Sequence, residues 1–239
     1  MTAYRNPTDL PTVSFPLGVD VQIQTLQAEL ATELVWLGYS FGRAFIGASD
    51  QMKGKDYTYP IVYRGNGDYQ DASPNDNLKS ASFFIVDGDY SYDDYDINEP
   101  NKMTVPVSLI VWGDLKKISP NYDEHFGGVL LQDILRVIRN NEEVKVRSIT
   151  DNASEVFKEF SSRQDVTELF YYPYFCYRIS LEVATQEDCE NNINTALGNY
   201  NIIEPPVQPT YSNTLQATLQ FALSTTISNT IQPSLQFTI

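Results

Sequence analysis

From Pro205 to Ile239 the chain contains no Asp, Glu, Lys or Arg, although 20% of all residues are charged. Left exposed, a charge-free segment of strand-forming residues is an aggregation hazard, so this stretch must pack on something. Histidine occurs once, as His125. Any histidine-activated nucleophile would rest on that residue alone, and no Gly-x-Ser-x-Gly elbow precedes it. The simpler reading is an ordinary histidine at the start of a helix. Gly65-Asn66-Gly67 lacks the Lys and Ser/Thr of a phosphate loop. The only cysteines, Cys176 and Cys189, have no metal-ligand spacing, which suggests a reducing compartment and no disulfide framework. No apolar run approaches the ~20 residues that span a bilayer. Thr2-Ala3-Tyr4-Arg5-Asn6-Pro7 offers no apolar core of a secretory signal. Basic residues are few: 16 Lys and Arg stand against 31 Asp and Glu, a formal net charge of -15. That balance disfavours tight binding to nucleic acid, which needs cations to displace counterions. It permits a surface past which DNA slides without sticking.

The charge-free stretch holds a repeat. Asn213-Thr214-Leu215-Gln216-Ala217-Thr218-Leu219-Gln220-Phe221-Ala222-Leu223 recurs as Asn229-Thr230-Ile231-Gln232-Pro233-Ser234-Leu235-Gln236-Phe237-Thr238-Ile239. In both copies odd positions are mostly apolar and even positions mostly polar, the pattern of a strand with one buried face. With Ser224 to Ser228 as the turn, the segment reads as a long β-hairpin. An isolated hairpin is marginal in water. Pro205, Pro206 and Pro209 make a semi-rigid connector. Either the hairpin folds back on its own domain or it adds strands to a neighbouring subunit.

The remaining 204 residues suit one body with a substantial core. Asp20 can cap a helix in which Ile23, Leu26, Leu30 and Leu34 form one stripe. Trp36 to Ile46 is aromatic and irregular, and its pattern fits neither period. Tyr57 to Tyr63 reads as a strand, followed by the hairpin-turn dipeptide Asn66-Gly67. Ser80 to Val86 is a second strand. Met103 to Trp112 is a third, with Val105, Val107, Leu109 and Val111 on one face and Pro106 marking an edge or a bulge. Leu130, Leu131, Ile134, Leu135 and Ile138 predict a second helix. Val144 to Ile149 is a short strand, and Ala153 to Phe160 a short helix with Val156, Phe157 and Phe160 inward. In the last body strand, Tyr174 to Ala184, Tyr177, Ile179, Leu181 and Val183 alternate with Arg178, Ser180 and Glu182. The expected architecture is α+β: a largely antiparallel sheet flanked by helices over 1–204, with a C-terminal β-hairpin arm over 205–239.

No set of residues makes a convincing active site. Asp87, Asp89 and Asp93 supply hard oxygen ligands at short spacing, but a calcium loop beginning at Asp87 would have Tyr92 and Asn98 where Gly and Glu are required. A solvated hairpin tip suffices for them, and no metal or cofactor is expected. The aromatic clusters Tyr90-Tyr92-Tyr95 and Phe170-Tyr171-Tyr172-Tyr174-Phe175 suit sugar stacking, or core and subunit contact, where tyrosine is enriched. The second cluster feeds directly into a core strand, which favours contact.

The helix at Asp20, the hairpin region through Val86 with its acidic tip, the strand Val105 to Val111, the helix Val129 to Asn140 and the strand Tyr177 to Val183 together resemble the tail-terminator and tail-completion proteins of tailed bacteriophages. The Asn- and Tyr-rich style also resembles virion proteins of crAss-like phages. The likeness covers Asp20 to Ala184 and rests on element order. It implies a non-enzymatic ring subunit at the head–tail junction or in the tail, with DNA passing through the lumen. It further implies assembly in the host cytoplasm into the virion, with neighbouring neck, portal or tail proteins as partners. The charge-free arm departs from that compact pattern, as a brace to the next subunit or an anchor to another ring. Expected interface residues are Leu215, Leu219, Phe221, Leu235 and Phe237, and Asp93, Asp94 and Asp96 are expected to face the lumen or a neighbouring ring. The alternative is a virion receptor- or carbohydrate-binding module. An enzyme would need convergent carboxylates or a metal site, for which only the acidic loop is available.

Overall fold

The computed structural model describes residues 10–14, 16–52, 55–75, 79–92, 102–123, 125–161 and 171–186. The predicted arm, with Leu215, Leu219, Phe221, Leu235 and Phe237, lies outside the described residues, as do Asp93, Asp94 and Asp96. In chain order the elements are α1 (Val19–Glu33), β1 (Tyr39–Met52), β2 (Lys55–Gly65), β3 (Asp68–Asp71), β4 (Ser80–Val86), β5 (Ser91–Tyr92), β6 (Lys102–Asp114), α2 (Leu115–Ile118), α3 (Phe126–Arg139), β7 (Val144–Thr150), α4 (Ala153–Val156) and β8 (Tyr174–Gln186). The strands form one sheet in the order β3-β2-β1-β4-β6-β8-β7, and β5 pairs with β6 beyond the end of β4. Every pairing is antiparallel except β1 with β4. The architecture is α+β, as the alternation of helical and strand periods predicts.

β6 and β8 form the spine, paired without interruption from Lys102↔Gln186 to Asp114↔Tyr174. Because side chains alternate across a strand, this register stacks Val105, Val107, Leu109 and Val111 beside Tyr177, Ile179, Leu181 and Val183 on one face. There α1 contributes Val19, Ile23, Leu26 and Leu30, and α3 contributes Leu130, Ile134, Leu135 and Ile138, to a single apolar cluster. The opposite face holds Tyr39, Phe41, Phe83, Ile110, Trp112 and Cys176, covered by Val156, Phe157 and Phe160. Both faces are therefore buried around β4, β6 and β8.

Several local details differ from the sequence expectation. α1 begins after Gly18, so Asp20 lies in the first turn and makes no side-chain cap; a carboxylate there still meets the positive end of the helix dipole. The irregular stretch from Trp36 is mostly β1. α4 ends at Val156, and Phe157 and Phe160 follow in a turn. The Asn66-Gly67 turn has φ of 54° and 81°, the left-handed pair that a type I′ hairpin requires. Pro106 marks neither a sheet edge nor a bulge. Its carbonyl accepts from the Asp87 N–H at 2.9 Å, so its nitrogen faces the same side, in the interval between the last β4 pair, Val86↔Val107, and the β5 pair Ser91↔Thr104. The donor that proline lacks falls where the ladder is already interrupted.

Candidate functional site

Two constellations stand out, one on each side of the sheet. The first is centred on Arg178, only 3% exposed in the middle of β8. Its Nε donates to Ser108 Oγ at 2.8 Å. One terminal nitrogen donates to Val156 O at 3.3 Å and Glu159 Oε2 at 2.7 Å. The other donates to Asp87 Oδ1 at 2.5 Å and Glu159 Oε1 at 2.7 Å. A guanidinium has five N–H donors, and every one is engaged. Ser108 Oγ in turn donates to the second oxygen of Asp87. Burial by itself lowers the Arg178 pKa, but the Glu159 hydrogen bond and the charges of Asp87 and Glu159 outweigh it, and the net shift is upward.

β6 and β8 pair Ser108 with Ser180 and Ile110 with Arg178, which places Ser108 within reach of Arg178. Asp87 arrives as the first residue after β4, and Glu159 as part of the turn after α4. Thr58 of β2 holds the same turn from the other side: its N–H donates to Ser161 Oγ at 2.6 Å and its hydroxyl to Glu159 O at 3.1 Å. Chemically the cluster is saturated. The serine hydroxyl is bonded to a carboxylate and a guanidinium, and both carboxylates face the same cation, so the group locks chain segments together. Asp87, one of the candidate calcium ligands, is thereby committed to Arg178. Among the described residues no group of three or more His, Cys, Asp or Glu side chains could hold a metal ion.

The second constellation is a groove of about 80 Å³ between the first turns of α1 and the β1–β2–β3 strands. Asp20, Ile23, Gln24 and Gln27 reach it from α1, where three- and four-residue spacing puts them on one side. β1 supplies Gly42, Arg43 and Phe45, β2 supplies Tyr63, and β3 supplies Tyr69. An irregularity in β1 aims Arg43. Tyr39, Phe41 and Ala44 all pack in the cluster on the far side, so the alternation skips one residue where the pairing with β4 shifts between Ser40 and Arg43. Bulges commonly re-aim side chains in this way.

In the groove an Arg43 terminal nitrogen lies 3.4 Å from Asp20 Oδ1, and the guanidinium sits 5.2 Å from the centre of the Phe45 ring. Phe45 meets Tyr69 edge-on at 6.4 Å, and Tyr69 meets Tyr63 edge-on at 5.6 Å. Gln27 is fully buried. Its Nε2 donates to Ser40 O at 3.0 Å, and Ser40 Oγ donates to Gln27 O at 2.9 Å. Gln27 Oε1 has no hydrogen-bond partner. A buried acceptor left unpaired costs about 1–3 kcal/mol. A side chain at Gly42 would bring Cβ to 3.0 Å from that oxygen.

The residues singled out from sequence are dispersed. His125 stands at the start of α3, its backbone N–H bonded to Asp123 Oδ1 at 2.9 Å. Cys176 is buried, and burial, with the nearby Asp151 charge, pushes its thiol up to about 12, so it is no nucleophile at neutral pH. The second aromatic cluster divides: Tyr174 stacks on Trp112 at 5.8 Å and Phe175 meets Trp36 edge-on at 5.9 Å, whereas Tyr171 and Tyr172 are exposed. Tyr90 is also exposed. Neither Arg178 nor the groove was legible as a site, because their members come from elements far apart in the chain. Among the described residues no helix is long and apolar enough to cross a membrane. No protein-family model, no curated protein and no solved structure matches the chain.

Proposed function

We propose that this chain is a structural, non-enzymatic subunit that joins copies of itself into a ring in the neck or tail of a tailed bacteriophage, with DNA passing through the lumen. One combination carries the reading: an open sheet whose edge strand β7 pairs only with β8 among the described residues, in a chain that also carries the charge-free, alternating stretch from Pro205 to Ile239. An unpaired edge accepts an added strand from another chain. A body edge and a strand-forming tail on the same polypeptide are the two halves of a heterologous contact, which closes into a ring when the rotation allows. The opposite edge, β3, has only four residues, and very short edges are poor acceptors; β7 runs for seven, with Lys145 and Arg147 among them. The net charge of -15 suits a lumen to which DNA does not adhere. The subunit is made in the host cytoplasm and acts in the virion beside other neck, portal or tail proteins.

The test is the native mass of the intact chain beside one ending at Glu204, by light scattering or native mass spectrometry. The expected result is a closed oligomer that dissociates when the tail is removed. Two monomers with equal melting temperatures would remove self-assembly through the tail.

A further inference from the structure

We infer that the groove between α1 and the β1–β2–β3 strands binds a neutral, hydroxyl-rich ring, a pyranose sugar, through Asp20, Gln27, Arg43, Phe45, Tyr63 and Tyr69. The inference does not rest on the ring reading.

The site lacks a donor. Gln27 Oε1 is buried without a partner, and its orientation is fixed, because turning the amide would set that oxygen against the Ser40 carbonyl now bonded to Nε2. Gly42 keeps the adjoining space open, since a Cβ there would stand 3.0 Å from Oε1. The oxygen is closed to water as it stands, so a ligand hydroxyl entering over Gly42 reaches it only after a small outward shift of the Gln27 side chain.

The charge of the site selects the ligand class. Asp20 and Arg43 cancel, so a cation entering would meet Arg43 and an anion would meet Asp20. Their separation of 3.4 Å is long for a charge-assisted hydrogen bond, which leaves lone pairs and N–H groups for further partners. A neutral molecule bearing several hydroxyls takes both. The aromatic side chains supply the apolar half. Phe45 and Tyr69 are both about half exposed and stand edge to face, forming a corner against which the C–H face of a pyranose packs. Sites for small ligands combine apolar walls with a few convergent polar groups in this way. One water needs about 10–15 Å³ of such space, so a groove of about 80 Å³ takes one edge of a ring and leaves the rest of the sugar outside.

Saturation-transfer NMR on the full chain tests this, with glucose, galactose and N-acetylglucosamine as neutral probes and glucosamine and N-acetylneuraminic acid as charged ones. At least one neutral sugar is expected to show saturable transfer and to bind more tightly than either charged probe. Tyr69→Ala, at an exposed position on an edge strand, should weaken binding about tenfold or more with little change in melting temperature. Gly42→Ala should remove binding. If Gly42→Ala fails to fold, Asp20→Asn replaces it, with a loss of similar size to that of Tyr69→Ala. Absence of saturable transfer from every neutral sugar overturns the proposal, as does binding indifferent to Tyr69→Ala, or preference for a charged probe. None of these outcomes bears on the native mass, so this site and the ring reading fail separately.

Discussion

The face of the sheet beneath α1 and α3 is covered by aliphatic and aromatic side chains, whereas the opposite face carries Arg178, Ser108 and Asp87 beside its aromatic residues. The difference follows from the length of what covers each face. α1 and α3 have 15 and 14 residues, long enough to present an apolar stripe over several turns, and each fully buried large side chain contributes roughly 1.5–3 kcal/mol. The cover on the other side is α4, four residues long, with the turn after it. It offers Val156, Phe157 and Phe160, and the guanidinium of Arg178 grips it through Val156 O and Glu159. A segment too short to hold its place by apolar area alone is fixed by directional bonds. The ionic group need not add net stability, since a buried pair often only balances its desolvation. It does define where the turn lies.

The comparison can be broken or sharpened by experiment. Arg178→Met would leave Asp87 and Glu159, about one-fifth exposed, without a counter-charge. A loss of about 3–5 kcal/mol is expected by urea denaturation. Replacing all three residues with apolar ones should recover most of it; a triple variant as unstable as the single one would mean that the polar bonds themselves are required. On the helix side, Ile134→Ala should cost about 2–5 kcal/mol, with no rescue by changes in charge.

Alkaline titration reads one group on each face. Cys176 belongs to the second face, and its pKa rises from 9.0 to about 12 on folding. Between those values the unfolded chain holds a thiolate and the folded chain a thiol, so unfolding releases a proton. The thiol's contribution is fully present below pH 9 and is lost as pH rises through about 12, at up to about 1.4 kcal/mol per pH unit. Cys176→Ala should flatten that part of the profile measured by chemical denaturation. Tyr177, also raised by burial and by Asp151 and Cys176, adds a residual slope of the same sign. The smallest effect belongs to the exposed pair joining the two helices, Arg136 and Glu33, 3.5 Å apart with side chains about half exposed. Glu33→Gln should change stability by about 0–1 kcal/mol, less at high salt.

Elements with a clear period were legible in the sequence. β4 runs from Ser80 to Val86 as read, the α3 stripe packs as its spacing predicts, and the β6 and β8 alternation identifies one buried face. β1 was obscured because its alternation skips a residue near Gly42 and because both sides of its first residues, Tyr39 to Phe41, are buried. Gly42 is small in deference to Gln27, 15 positions earlier, and no local pattern reveals that. Arg178 fell on what reads as the wet face of β8. Its partners Asp87 and Glu159 lie 91 and 19 positions away, so the burial of that face becomes visible only when the turn after α4 is folded over it.

The position of β8 has a consequence for how the protein is made. β8 lies between β6 and β7 in the sheet, yet it is the last of the three to be synthesised. Until β8 has emerged, β6 and β7 lack the strand that lies between them in the sheet, an interval of seconds at ~5–20 residues per second. Strand edges left unpaired in that interval are open to pairing with other chains. Insertion of β8 then pairs both neighbours and delivers Arg178 to Asp87 and Glu159. Among the described strands, β8 is thus the one that closes the sheet.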